Sequence, residues 1–387
     1  LARATSPRSP SARCRSPPDP EPRLDNAVSI HFAPSYAEAR RKFRDAAAAL
    51  GLAVETHVNP SARGPEGEEL ATDVVLLGDA DADAVLLLTS ATHGVEGFCG
   101  SGCQVALLRD DAFIAAVEEA RVAVLLYHAL NPYGFAHLRR TNEDNVDLNR
   151  NFRDFSTPPA ANVAYAAVHA FAVPAQWPPS PENEAKIGAY VARHGVKKFQ
   201  AAVTGGQCEF PDGLFFGGVR PTWSNGVLRS VLREQASRRK RLGWIDFHTG
   251  LGPWGHGEKI YSGPNDAVTI TRARAWWGTD ITSFYDGSST SAPLTGVSFH
   301  AALDECPGTE YTGIALEYGT LPLQETLQAL RADQWLHNHP DAPSQQRAAI
   351  KREIRDTFYG DTDEWKAMVY GQARVASLQA LRGLSGR

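Results

Sequence analysis

Residues 84–97 read AVLLLTSATHGVEG, an apolar run that passes directly into a small turn carrying His93 and Glu96. An apolar segment without polar alternation suits a strand buried on both faces, as at the centre of a parallel sheet. Two other runs end in the same way. GWIDF (243–247) leads into His248-Thr249-Gly250, and GIALEY (313–318) carries Glu317 near its end. Ligands of open α/β sheets bind in the crevice beyond the carboxyl ends of the strands. Three separate strands are therefore expected to deliver His93, Glu96, His248 and Glu317 to one edge.

Outward from these runs, strands are also expected at 72–78, 122–128 and 198–204. Helical spacing predicts helices at 35–50, 101–119, 182–193, 225–239, 323–337, 343–357 and about 363–382. The alternation points to an α/β fold with a mostly parallel mixed sheet, flanked by helices on both faces. The Pro-rich stretch 157–180 and the Gly/Pro-rich stretch 204–225 read as long excursions from that sheet. Residues 1–24, rich in Pro, Ser and Arg, have little to bury and read as a disordered leader. The remainder, 25–387, is expected to form a single catalytic domain, because the candidate residues run from 93 to 317.

Composition narrows the function classes. The chain has 387 residues, 43% apolar and 21% charged, with a net charge of −5. That is ordinary for a globular protein and gives no electrostatic case for nucleic acid or an anionic membrane. No apolar run is long enough to cross a bilayer, and the N-terminal segment lacks a signal-peptide core. Cys14, Cys99, Cys103, Cys208 and Cys306 form no disulfide framework, so a reducing, cytoplasmic setting is expected. Cys99 and Cys103 lie one helical turn apart with no second ligand pair nearby, which suits buried core thiols better than a metal site.

Two imidazoles, one carboxylate and an open fourth position make a catalytic zinc site, where the metal acidifies a water. His93 and Glu96, three apart in a turn containing Gly94, can face one ion, and His248 can complete the set. The pattern is not HExxH, because Gly94-Val95 follows His93. Alone, HxxE arises often by chance, and His93 could simply cap the next helix. Glu317 is more telling, since a carboxylate in an apolar strand is costly unless it has a partner or a function. The Gly pairs at 205–206 and 217–218 lack a following Lys-Ser/Thr and read as turns, not phosphate cradles.

A further series fixes the reading: Asn131-Pro132-Tyr133-Gly134, then Leu138-Arg139-Arg140-Thr141, then Asp147-Leu148-Asn149-Arg150-Asn151. With HxxE before it and His-Thr and the late Glu after it, the chain resembles the zinc carboxypeptidase family (M14-type metallopeptidases) over roughly residues 85 to 320. The resemblance implies a zinc carboxypeptidase-like fold and one zinc ion per chain, held by His93, Glu96 and His248. It implies Glu317 as the carboxylate that takes a proton from water and returns it to the leaving amine. Arg139 falls where the family places its oxyanion-stabilising arginine, with Arg140 as the fallback. Asn149 and Arg150 match the pair that grips a substrate carboxylate, and Asp147 would orient a ligand histidine.

Within that family the chain is similar to a bacterial branch described as a domain of unknown function (DUF2817). The shared features are SYAEARRKF, RRTNEDNVDLNRNF, GGQCEFPDGLFFGGVRPTWSN, IDFHTGLGP and ALEYGTLP. The implied substrate is a small peptide or acyl amino acid, cleaved at an amide next to a free carboxylate. The family's mobile tyrosine has two candidates here, Tyr285 and Tyr311, and spacing does not choose between them. The short run from Arg139 to Arg150 also resembles the succinylglutamate desuccinylase and aspartoacylase group, which implies an N-acyl amino-acid deacylase as the alternative. A catalytically silent binding module on the same fold is the third reading, and the complete set of ligands and catalytic carboxylate speaks against it.

Overall fold

The computed structural model describes residues 28–386. The leader expected at 1–24 lies outside them. The elements run α1 (Tyr36–Ala49), β1 (Val54–Arg63), β2 (Glu69–Leu77), β3 (Ala84–Thr89), α2 (Gly97–Leu107), α3 (Asp111–Ala120), β4 (Ala123–His128) and a short α4 (Pro132–Ala136). Then come α5 (Val163–Ala172), α6 (Pro181–His194), α7 (Val196–Thr204), α8 (Trp223–Gln235), β5 (Arg241–Trp254) and β6 (Gly257–Tyr261). The chain finishes with α9 (Ala267–Trp277), α10 (Phe299–Glu305), β7 (Glu310–Gly319), α11 (Leu323–Asn338), α12 (Ser344–Phe358) and α13 (Asp363–Ser385).

One mixed sheet has the order β1-β2-β4-β3-β5-β7-β6. Its four central strands, β4-β3-β5-β7, are parallel. The flanking pairs β1/β2, β2/β4 and β6/β7 are antiparallel. Because side chains alternate along a strand, each apolar run feeds two cores. Leu86, Leu88, Ile245 and Phe247 join Phe43 of α1, Phe98 of α2 and Trp365 of α13 on one face. Val85, Leu87 and Trp244 join Leu228 and Leu232 of α8 and Phe299 of α10 on the other. A third cluster, from α5, α7, α11 and α12, closes over the carboxyl end of the sheet.

Some local readings change. Residues 198–204 lie in helix α7, not a strand. Phe199, Ala202 and Val203 are its buried residues, at helical spacing, and only that geometry puts all three on one face. The helix expected over 101–119 is two helices, because the Asp110 side chain accepts from Ala112 N and Phe113 N and starts α3 afresh. Helix α5 lies inside the stretch 157–180 that was expected to be a long excursion, while strands β1 and β6 and helices α4, α9 and α10 had no distinct sequence expectation. Among the described residues no helix is long and apolar enough to cross a membrane.

Candidate metal centre and active site

The turn after β3 is held from behind. Val95 N donates to Arg139 O at 2.8 Å and Gly94 N to Arg140 O at 3.1 Å. A Cβ on Gly94 would lie 2.0 Å from the Gly134 carbonyl carbon, so glycine is required for the HxxE turn to seat on the Asn-Pro-Tyr-Gly segment. On β5 and β7, His248 and Glu317 are register partners, and both side chains therefore leave the same face of the sheet.

His93, Glu96 and His248 converge, with their ligand atoms all within 4.8 Å of one another. His93 Nδ1 lies 2.8 Å from Glu96 Oε1, His248 Nδ1 lies 3.0 Å from Glu96 Oε2, and the two Nδ1 atoms are 3.2 Å apart. All three residues are buried. The opposite edge of each imidazole meets a carboxylate. His248 Nε2 is 2.8 Å from Asp246 Oδ2, and His93 Nε2 is 3.4 Å from Asp147 Oδ1. A ring hydrogen on His248 Nε2 is donated to Asp246, which turns the Nδ1 edge of that ring toward Glu96 and His93. Two imidazoles and a carboxylate meeting in this way could hold a metal ion.

The titration behaviour follows from the same contacts. Burial opposes the charged form of Glu96, but His93 and then His248 outweigh it and hold the carboxyl well below the usual carboxylate range. Burial likewise opposes a charged His248, and Asp246 and Glu96 overcome it, raising the imidazole well above its ordinary value. Glu317 behaves oppositely. Burial, followed by the neighbouring Glu96 charge, pushes its carboxyl up to about 8. Its Oε1 accepts from Leu251 N at 2.9 Å.

These residues open on a cavity of about 110 Å³, lined also by Arg140, Asn149, Arg150 and Thr204. The sequence model of the family described as "Protein of unknown function (DUF2817)" matches residues 32–372. The chain belongs to the DUF2817 family. No curated protein matches it. Among solved structures, this DUF2817 chain is similar to carboxypeptidase A from Helicoverpa armigera, at 15% identity and a TM-score of 0.44, over 89% of this chain and 74% of that one. It is similar to bovine thrombin-activatable fibrinolysis inhibitor at 12% identity and a TM-score of 0.43, over 90% and 97%. It is also similar to a metallo-carboxypeptidase from Pseudomonas aeruginosa at 14% identity and a TM-score of 0.38, over 89% and 71%.

The two adjacent arginines of the DUF2817 chain part company. Arg139 turns away from the cavity: its Nε donates to Asp333 at 3.0 Å, Nη2 donates to Asn145 at 2.9 Å, and Nη1 lies 2.7 Å from His337 Nδ1. Arg139 is held in this buried network and is not among the residues that line the cavity, so the geometry does not support the oxyanion role expected for it. Arg140 faces the cavity instead. Its Nε donates to Asp147 Oδ2 at 2.9 Å, Nη1 to Glu96 Oε1 at 3.3 Å, and Nη2 lies 2.7 Å from His93 Nε2.

Arg150 is buried and donates only to carbonyls, from Nε and Nη2 to Thr204 and from Nη1 to Asn149. Burial lowers its pKa to about 10, despite Asp147 nearby. The Thr204 hydroxyl beside it has no hydrogen-bond partner among the described residues. Asn149 Oδ1 accepts from Ser298 N at 2.9 Å. Neither candidate tyrosine lines the cavity: the Tyr285 and Tyr311 hydroxyls donate to Gly263 O and Ser262 O, each at 2.9 Å.

Asp246 was not singled out from the sequence. It sits two residues before His248 on one strand, and residues two apart share a face, so the Asp-Phe-His alternation was the available signal. Thr89 and Thr92 donate to its Oδ1 at 2.6 and 2.8 Å, and Trp244 Nε1 donates to Thr89 at 2.8 Å.

Proposed function

We propose that this DUF2817 chain is a zinc-dependent hydrolase that cleaves an amide bond next to a free carboxylate, in the manner of a metallocarboxypeptidase. The observation that carries this reading is the meeting of His93, Glu96 and His248 beside Glu317, in a cavity that also holds an arginine without a carboxylate partner. A zinc ion held by the three ligands would supply a Lewis acid that acidifies water and polarises the scissile carbonyl.

The chain's own residues do the rest. Arg150, with the Asn149 amide and the free Thr204 hydroxyl, receives the substrate carboxylate, which gives the buried guanidinium its missing countercharge. Glu317 accepts the proton of the attacking water and delivers it to the leaving nitrogen. Its raised pKa belongs to the protein without a cation, and positive charge bound beside Glu96 would favour the ionised, proton-accepting form of Glu317. Arg140, placed between Glu96 and Asp147, stabilises the developing negative oxygen.

The test is turnover of short peptides and N-acyl amino acids by zinc-loaded protein, with a chelated control and the Glu317→Gln variant. Hydrolysis that requires both the metal and Glu317 is the expected result. Turnover of acyl amino acids alone would reassign the substrate to the deacylase type, and equal turnover by Glu317→Gln would remove the proposal.

A further inference from the structure

Part of the same cavity, called the recess below, is lined by residues beside Glu317 on the sheet. Ile260 of β6 is the register partner of Ala315 on β7, just as Glu258 is the partner of Glu317. Ala315 and Glu317 are two apart and share a face. Both are partly open, while their neighbours Ile314, Leu316 and Tyr318 are buried. The remaining wall comes from the segment between α9 and α10, through Phe284, Ser291, Ala292, Leu294 and Val297, with Ser262 after β6. Phe284, Leu294 and Val297 pack into the same apolar cluster as Ile260 and Ala315.

This wall is built onto the carboxylate-binding residues. Ser298 N donates to Asn149 Oδ1 at 2.9 Å, and Phe152 N donates to Gly296 O at 3.0 Å. Gly296 itself lies so close that a Cβ there would be 2.3 Å from Arg150 O. At its other end the segment is tied to the sheet edge by Glu258, which accepts from the Thr282 and Thr290 hydroxyls and from Thr290 N. The recess therefore has a fixed position beside Asn149 and Arg150. Among the described residues, the acidic side chains lining the cavity are Glu96 and Glu317, and the basic ones besides the two histidines are Arg140 and Arg150.

We propose that this recess takes the side chain of the residue whose carboxylate sits on Arg150 and Asn149, and that it selects an uncharged, apolar one. The substrate class is then a peptide or acyl amino acid ending in an aliphatic or aromatic residue. The inference rests on the hydrolase reading for its orientation. A charged side chain entering the recess would lose water without gaining a countercharge of its own, whereas leucine or phenylalanine gains apolar contact.

The test is equilibrium binding, by calorimetry, of N-acetyl-leucine, N-acetyl-phenylalanine, Nα-acetyl-lysine and N-acetyl-glutamate to the zinc-loaded Glu317→Gln protein. The leucine and phenylalanine compounds are expected to bind at least about tenfold more tightly than the charged pair. In the same background, Ala315→Leu should weaken N-acetyl-phenylalanine about tenfold and leave N-acetyl-alanine within about twofold. Ala315→Asp should raise Nα-acetyl-lysine affinity, a gain that misfolding does not produce. Equal or tighter binding of the charged compounds, no binding by any of the four, or unaltered ranking in both Ala315 variants would overturn the proposal. If the expected ranking holds but zinc-loaded wild-type protein hydrolyses none of these compounds or the matching peptides, the hydrolase reading fails and the recess assignment stands.

Discussion

His248 Nε2 lies 2.8 Å from Oδ2 of Asp246, two residues earlier on the same strand. This contact turns the Nδ1 edge of His248 toward Glu96 and His93, and Asp246 is itself locked by Thr89 and Thr92. The orientation of one candidate metal ligand is thus written into the sheet.

Replacing Asp246 by Ala is therefore expected to weaken zinc binding by about 10- to 100-fold, the usual cost of losing an outer partner of a ligand histidine. Asp246→Asn should lose less, since its amide oxygen can still accept from Nε2. Competition against a chromophoric chelator measures both constants. An Ala variant that binds zinc as tightly as the parent would show that Asp246 serves packing alone.

Arg139 and Arg140 should separate cleanly in experiment. Removing Arg139 leaves Asp333 short of a partner in a buried network shared with Lys351, so Arg139→Gln is expected to cost about 3 kcal/mol of stability. Arg140→Gln strips buried Asp147 of its guanidinium and should also cost stability, but it alone is expected to lower kcat, by about 10²- to 10³-fold, the scale for losing an oxyanion donor. Urea unfolding and turnover, measured on both proteins, check the division. A larger loss of kcat in Arg139→Gln than in Arg140→Gln would return the oxyanion role to Arg139.

The same pair shows where sequence reading stops. The ends of β3, β5 and β7 were legible because an apolar run followed at once by His or Glu has few alternatives, and His93, Glu96, His248 and Glu317 do meet. Which of two adjacent arginines enters the cavity depends on Asp333 and His337, almost 200 residues further along, and nothing local carries that information. Helix α7 was obscured for a related reason. KKFQAAVT is short enough to satisfy either period, and the packing of Phe199, Ala202 and Val203 beside α5 decides it. Asp246 was readable in principle, but its value depends on Thr89 and Thr92 arriving from another strand.

Gly296 offers a test of how the recess wall and Arg150 are joined. It has φ +71° and no room for a Cβ against the Arg150 backbone. Gly296→Ala is expected to destabilise the protein by about 1–3 kcal/mol through the left-handed backbone and the forced shift. Because the shift falls on Arg150, KM should rise more than kcat falls. Unfolding curves and steady-state kinetics give the two numbers, and an unchanged KM would separate the wall from the carboxylate site.

The Glu317 carboxyl also makes a prediction about pH that needs no substrate. Its folded-state pKa, about 8, lies above that of an unfolded carboxyl, whose ordinary value is 4.5. A raised carboxyl contributes its stability in full below the unfolded pKa, and loses it as pH rises through the folded one. Metal-free wild-type protein should therefore weaken between pH 5 and pH 9 relative to Glu317→Gln, which has nothing to ionise. One pKa unit corresponds to about 1.4 kcal/mol, so the Gln variant should gain at least about that much over the interval, read as a difference in Tm between chelated samples. Saturating zinc should shrink the gap, because a cation next to Glu96 favours the charged form of Glu317. Parallel pH profiles for the two metal-free proteins would mean that Glu317 is solvated and ionised throughout, and its place as a poised base would be lost.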